Sequence, residues 1–292
     1  MVRIGNRRIE LSNENKVLFP AAGITKGEVV NYYRRIAKVM LPHLRDRPVS
    51  LQRFPDGIDA DGFFQKNTPD YFPGWFRSVR LSKQDGSVDY PVADTAASLV
   101  YLANQGTITL HAALARTARP RHPDRLVFDL DPPGDEFEPV QNAARRLRKA
   151  LDELDLPSFV QTTGSRGLHV VVPLQGKQSF DRTREFALDL ARELAQGFPG
   201  EMTVEQRKHK RGDRVFLDCL RNAYGQTAVA PYSLRARPGA PCATPLTWRE
   251  ALASDMRADR YGMKNIFRRL ARTDDPWRGI GRHAAVLPRA RG

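Results

Sequence analysis

The chain has 292 residues, of which 47 are Lys or Arg and 33 Asp or Glu, for a formal net charge of +14. Hydrophobic residues make up 41%, enough for a sizeable core in one large domain or two closely packed ones. No apolar run approaches a membrane span, no signal-peptide core is visible, and two cysteines without a CxxC pair argue for a reducing cytoplasm and against a structural zinc. The positive charge calls for a polyanionic partner. Nucleic acid comes before a membrane, because no amphipathic anchor stands out.

In chain order, residues 10–20 read as a loop running into a short apolar anchor. Thr25 caps a helix that starts at Lys26, with Val29, Tyr33, Ile36, Ala37 and Met40 on one face, and Pro42 is expected to end it. Lys26 sits in the first turn, where the free backbone N–H groups and the dipole would suit a phosphate; a solvated surface lysine is the plainer alternative. Residues 48–54 alternate as a strand. Phe63 and Phe64 follow, and adjacent strand residues face opposite ways. One ring is therefore expected in the core and the other exposed for base stacking. Residues 77–81 and 88–92 form a hairpin around Asp85-Gly86. Lys83-Gln84-Asp85-Gly86 matches the KxDG core of nucleotidyl-transferring ligases. Val88 stands where that pattern has an arginine, so the match reads as a turn.

A helix spans residues 95–105, and a basic, proline-containing stretch covers 116–125. Next comes Leu126-Val127-Phe128-Asp129-Leu130-Asp131-Pro132-Pro133, an apolar strand ended by two prolines. Asp129 and Asp131 are two apart and leave one face together; a divalent cation relieves their repulsion, while two solvated acids at a strand end are the bland alternative. Residues 138–155 make an amphipathic helix and 159–163 a second strand, a strand–helix–strand unit. Gly164 and Gly167 flank Ser165 and Arg166 in a tight turn whose free backbone N–H groups could cradle phosphate. His169 then opens a valine-rich strand. A helix covers 180–196. Residues 206–214 carry Arg207, Lys208, Lys210, Arg211 and Arg214, a mobile basic loop or hairpin tip. Val215-Phe216-Leu217-Asp218 repeats the earlier signature, with Arg221 three residues on. Residues 232–241 are turn-rich and hold Arg235. Beyond Trp248 the pattern is a helical basic tail whose end, 282–292, is expected to be disordered.

Three aspartates at strand ends in a basic chain point to phosphoryl transfer with two metal ions. A non-catalytic end-binding protein would not need the aspartates, and a metal-dependent nuclease would not need the phosphate turn.

The motifs DLDP, SRGLHVVVP, VFLD and APYSLRARPGAPCATPLTW resemble, over nearly the whole chain, the polymerase domain of bacterial DNA ligase D, in the archaeo-eukaryotic primase superfamily. The resemblance implies an α/β (α+β) fold: a primase-like core with an RRM-like sheet and flanking helices, packed with a second, mostly β unit. It implies one primase-polymerase domain over 1–292, with a DNA-binding part at about 1–115, a catalytic core at about 116–250 and the tail beyond. It implies a nucleotidyltransferase that fills gaps and extends ends in non-homologous end joining, using NTP or dNTP with two Mn2+ or Mg2+ ions and often favouring ribonucleotides. Primer synthesis on single strands is the runner-up. By resemblance, Asp129, Asp131 and Asp218 hold the metals. Thr163, Ser165, Arg166, Gly167, His169, Arg221 and Arg235 surround the nucleotide, with Thr163 standing where many relatives have serine. Asn13, Lys16 and Lys26 match a pocket for the 5′-phosphate at a gap or break. Phe63 and Phe64 match aromatics that stack on the template, and Lys208, Lys210, Arg211 and Arg214 match a loop that aligns two ends. The implied partners are gapped or broken DNA, a Ku-type end-binding protein and a ligase, in a cytoplasmic, nucleoid-associated setting. No ligase or nuclease domain is expected within these residues.

Overall fold

The computed structural model describes residues 1–83 and 86–288. Its two principal sheets use ten strands: β1 (Val49–Arg53), β2 (Phe63–Gln65), β3 (Thr107–Ala113), β4 (Arg125–Asp131), β5 (Phe159–Thr162), β6 (Leu168–Pro173), β7 (Met202–Thr203), β8 (Val215–Asp218), β9 (Thr227–Val229) and β10 (Thr244–Leu246). The longer helices are α1 (Lys26–Leu44), α2 (Ala96–Asn104), α3 (Glu138–Asp152) and α4 (Phe180–Gly197).

The six-stranded sheet runs β7–β8–β4–β6–β5–β10, antiparallel except for the β7–β8 pair. The strand–helix–strand unit β4–α3–β5 is present, but β6 is inserted between its two strands. The order β8–β4–β6–β5 with α3 and α4 as connections is the split β-α-β arrangement of RRM-like domains, as expected. Strand alternation divides the work of β4. Leu126, Phe128 and Leu130 join Val170 and Val172 beneath α3 and α4, whose Leu147, Leu151, Leu190 and Leu194 complete that core. Val127 and Val171 face the other way, onto Leu114, Ala228, Trp277 and Ile280. Asp129 and Asp131 share that second face.

The four-stranded sheet runs β9–β3–β1–β2, all antiparallel. A core of α1 and α2 residues, including Ile36, Met40, Leu99 and Leu102, packs with Leu51, Ile108 and Leu110 of this sheet. Strand β9 reaches it only after the chain has built most of the other sheet. Arg47, three residues past α1, pairs with Asp124, just before β4, at 2.6 Å. His43 meets Asp275 at 2.7 Å, and Asp275 also accepts from Tyr232 at 2.7 Å.

Three expectations are corrected. Helix α1 continues past Pro42 to Leu44, because a proline three residues from the last carbonyls forfeits only its own bond while Arg45 N still reaches Leu41 O at 2.9 Å. Residues beyond Trp248 are not a helical tail but short helices, Trp248–Ala251 and Ile266–Leu270, in a turn-rich stretch that contributes the buried Trp277. Residues 282–288 are placed: Leu174 bridges Ala285, and Gln178 exchanges hydrogen bonds with Leu287. Residues 289–292, and Gln84-Asp85 of the KxDG match, lie outside the described residues.

Candidate active site

One cross-strand row organises the site. Asp218 of β8 pairs with Asp129 of β4, Asp129 pairs with His169 of β6, and His169 pairs with Gln161 of β5. Directly opposed residues of antiparallel strands share a face, so four polar side chains line up across four strands. Asp131, two residues along β4, joins the same face. Carboxylate oxygens of Asp129, Asp131 and Asp218 all lie within 4.8 Å of one another. His169 Nε2 is 3.4 Å from Asp129 Oδ1, and Arg221 Nε is 3.6 Å from Asp129 Oδ2. Asp218 accepts from the Leu220 N–H at 2.7 Å, which fixes its rotamer.

The three acids differ in charge balance. Burial, then Asp129, then Asp218 push Asp131 up to about 6. Burial is also the largest influence raising Asp218, with Asp129 adding to it. For Asp129 burial is outweighed by His169, Arg221 and Arg235, and its carboxyl stays below the usual range. A hard divalent cation takes oxygen ligands and supplies the charge that this trio lacks. The donor set therefore suits a metal ion.

Asp129 and Asp131 form one side of a cleft of about 170 Å3 whose other walls include Thr163, Ser165, Arg166, His169, Arg221 and Arg235. The nucleotide-binding residues expected from the sequence are thus brought together. The turn that holds them differs from expectation in one respect. Its Ser165 and Gly167 N–H groups both donate to Thr163 Oγ1, at 3.3 and 3.2 Å, so they are committed to the turn rather than free for phosphate. Gly164 has φ +65°, and a Cβ on Gly167 would stand 2.0 Å from the Leu130 carbonyl oxygen. Only glycine lets the turn pack this closely on β4. Arg235 donates to the Thr163 carbonyl at 3.3 Å and braces the turn from outside.

Two residues lining the cleft carried no role in the sequence. His111 of β3 is partly exposed, but its Nε2 is buried without a hydrogen-bond partner, and burial followed by Arg235 and Arg221 pushes the ring down to about 3. It joins the two sheets' functional parts: its ring lies 5.6 Å from that of Phe64 and it also borders the cleft. Arg237 adds a further cation. A histidine within a strand gives no signal until its neighbours are known.

The remaining candidates lie elsewhere. Phe63 and Phe64 are 46% and 61% exposed, so neither ring is in the core. They sit on β2, a three-residue strand at the sheet edge that leaves both rings largely open to solvent. Phe63 lies beneath Arg53, 5.4 Å from the ring centre. Lys16 and Lys26 do come together: Lys26 N donates to Lys16 O at 2.8 Å, and Lys16 adds to burial in lowering the Lys26 ammonium. Asn13 begins the turn that places Lys16, with Lys16 N on Asn13 O at 3.0 Å. The helix N–H groups are not free, however. Glu14 O accepts from Gly27 N, and Thr25 Oγ1 from Glu28 N in a capping box. Lys16 Nζ meets Asp56 at 2.5 Å and Lys26 Nζ donates to Ser12 at 3.1 Å. The basic stretch forms a 3-10 turn, Lys208–Lys210. Arg211 and Arg214 fold back onto carbonyls of residues 205, 206, 210 and 211, with Arg211 stacked 3.7 Å from Phe216. Lys208 and Lys210 are exposed. Among the described residues no helix is long and apolar enough to cross a membrane.

Residues 25–277 match the family model described as LigD, primase-polymerase domain. The chain is 36% identical over 257 residues, 87% of its length, to the multifunctional non-homologous end joining protein LigD of Mycolicibacterium smegmatis. It is 34% identical over 97% of its length to the multifunctional non-homologous end joining DNA repair protein LigD of Mycobacterium tuberculosis, and 31% identical over 85% to the bifunctional protein LigD of Bacillus subtilis. It spans 34%, 38% and 40% of those three relatives. Its fold is similar to that of the polymerase domain from Mycobacterium tuberculosis ligase D in complex with DNA, with a TM-score of 0.88, 34% identity, and coverage of 95% of this chain and 99% of that one. The chain belongs to the LigD primase-polymerase domain family, and its fold is that of a nucleotidyltransferase.

Proposed function

We propose that this protein is a template-directed polymerase that adds nucleotides, ribonucleotides in preference, at gaps and double-strand-break ends during non-homologous end joining. The observation that carries the proposal is the trio of converging carboxylates beside a cleft lined with arginines. Asp129 and Asp131 would hold two divalent ions and Asp218 the one nearer the attacking hydroxyl. Mn2+ or Mg2+ bound there supplies charge that activates the attacking oxygen and offsets the triphosphate. Arg166, Arg221 and Arg235 bind phosphate oxygens through charge-assisted hydrogen bonds, and His169 contacts the triphosphate from its place in the row. Ser165 and Thr163 shape the nucleotide's berth, the latter mainly by closing the turn.

The surroundings support a DNA substrate. The two exposed phenylalanines offer a stacking platform for template bases. Lys16, Lys26 and Asn13 make a cationic corner for a downstream 5′-phosphate. Lys208 and Lys210 project from the basic turn, with Arg211 and Arg214 holding its shape, and would help align two ends. We assign residues of about 1–115 to DNA binding, about 116–250 to the catalytic core and the remainder to a basic end segment that packs against both. A Ku-type end-binding protein, a ligase and a cytoplasmic, nucleoid-associated location complete the proposal.

Nucleotide incorporation on a gapped duplex, with each nucleotide type and each metal, tests it. Asp129→Ala and Asp131→Ala should each lower incorporation by about a thousandfold or more, equivalent to several kcal/mol of lost transition-state stabilisation. DNA binding should persist in both. Near-normal incorporation by either variant would end the two-metal account.

A further inference from the structure

Gln161 stands at the end of the polar row yet hydrogen-bonds to neither the carboxylate trio nor the arginines of the cleft. It is buried, 1% exposed, directly across from His169 in the β5–β6 ladder. Its side-chain Nε2 lies 3.3 Å from His169 Nδ1 and 3.2 Å from the backbone oxygen of Val229. Val229 belongs to β9, in the other sheet, so this amide bridges the two sheets beneath the cleft.

The bridge determines proton positions. A backbone carbonyl oxygen can only accept, so the amide end facing Val229 must be the NH2 group. The flipped amide would set oxygen against oxygen and would also point an acceptor at the ring. In the orientation observed, one amide hydrogen serves Val229 and the other serves His169. His169 Nδ1 is then an acceptor, and a neutral ring carries its hydrogen on Nε2. That nitrogen is the one 3.4 Å from Asp129 Oδ1, and both residues line the cleft. Gln161 Oε1 is buried without a hydrogen-bond partner, so the two Nε2 contacts account for the side chain's placement.

We propose that Gln161 is a positioning residue that holds His169 in its Nε2–H tautomer, so that the ring presents a hydrogen-bond donor to the site. The opposite tautomer would turn a lone pair toward Asp129 and toward any phosphate oxygen, placing acceptor against acceptor. The consequence for nucleotide binding rests on the assignment of His169 to the triphosphate; the tautomer itself does not.

Two variants of matched side-chain length separate these ideas. Gln161→Glu replaces the donor by an acceptor, and Gln161→Met removes hydrogen bonding. Two-bond nitrogen–proton NMR spectra of the full chain with labelled histidine, without metal or nucleotide and at alkaline pH, report the ring directly. In the parent protein His169 should show a protonated Nε2 and an accepting Nδ1. In Gln161→Glu, Nδ1 should gain a proton. In Gln161→Met, the Nδ1 resonance should move to the position of an unbonded ring nitrogen. A parent ring protonated at Nδ1, or an unchanged ring in a folded variant, overturns the proposal; if the glutamate variant does not fold, the parent and methionine spectra decide it.

Kinetics on gapped DNA supply the second arm. Gln161→Met should raise the KM for the incoming nucleotide by about tenfold, the size of effect typical for a partner that orients a histidine, with a smaller change in kcat. The His169→Ala variant combined with Gln161→Met should be no worse than His169→Ala alone, because Gln161 acts through the ring. Additive losses overturn the positioning role. If His169→Ala leaves KM unchanged while the spectra behave as stated, the triphosphate assignment fails and the tautomer assignment stands.

Discussion

Asp131 carries the least comfortable charge among the site's acids. Its carboxyl is raised from 3.8 to about 6 by burial and by the charges of Asp129 and Asp218. A raised acid binds its proton more tightly in the folded than in the unfolded state. Its favourable contribution is therefore complete below 3.8 and is lost as pH rises through about 6. Metal-free protein should lose melting temperature over that window, and Asp131→Asn should flatten the loss. Added Mn2+ or Mg2+ should restore stability far more at pH 8 than at pH 5, because only the ionised trio binds a cation well. Melting curves with chelator and with metal check this, and an equal gain at both pH values would contradict it. The exposed rings give a second residue-level expectation. Phe64→Ala should weaken binding to gapped DNA by about 1–3 kcal/mol, the worth of one base stack. Phe63, held under Arg53, should behave similarly, since neither ring is buried. Unchanged binding by both alanine variants would make the pair a surface feature only.

At the scale of elements, the catalytic end of β4 depends on a neighbouring turn having no side chain. Gly167→Ala would place a Cβ 2.0 Å from the Leu130 carbonyl, and backbone on both sides cannot yield as a flexible side chain could. The strand end that carries Asp131 must then shift, at a cost of about 1–3 kcal/mol in stability with loss of incorporation. Gly134→Ala, where an added Cβ meets nothing within 4 Å, is the matched control and should melt like the parent. If the two variants melt alike, the close approach is not a constraint. Much of this element structure was legible from periodicity: β4, α3, β5, β6 and α4 lie close to where alternation and helical spacing put them. Periodicity reports the face of a side chain and is silent about the strand beside it. For that reason the insertion of β6 between β4 and β5, the return of β9 to the other sheet, and the alignment of Gln161 with His169 were invisible. The Phe63-Phe64 expectation failed on the same ground, because alternation says nothing about whether a face is covered.

Over the whole molecule, an excess of 14 positive charges favours any nucleic acid, so the proposed recognition of an end would have to come from local geometry. Two charged clusters stand out in the fold: the carboxylate row, drawn from distant parts of the chain, and the corner formed by Lys16 and Lys26, ten residues apart. The sequence showed these lysines but not the loop over the helix start. With Lys26 N and Gly27 N bonded to the carbonyls of Lys16 and Glu14, the helix offers no backbone donors to a phosphate there. A 5′-phosphate bound there, as proposed, would rest on side chains alone. A terminal phosphate carries nearly two charges near neutral pH and an internal one carries a single charge, which lets two clustered ammonium groups distinguish an end from continuous duplex. Each charge-assisted hydrogen bond is worth about 1.5–3 kcal/mol. The parent protein should bind gapped DNA more tightly when the downstream 5′-phosphate is present, and the difference should shrink as salt rises. Lys16→Ala with Lys26→Ala should abolish the preference altogether while sparing incorporation at saturating DNA. Asp56 supplies the opposite test. It holds Lys16 Nζ at 2.5 Å but is 72% exposed, so the pair itself contributes little stability and competes with the phosphate for the same ammonium. Asp56→Asn should therefore leave the melting temperature unchanged and strengthen the preference for phosphorylated ends, with no gain on the unphosphorylated substrate. Fluorescence anisotropy with the two DNAs measures both outcomes. Equal tightening on both substrates would mean that only general charge had changed, and a preference that survives the double lysine variant would place the phosphate elsewhere.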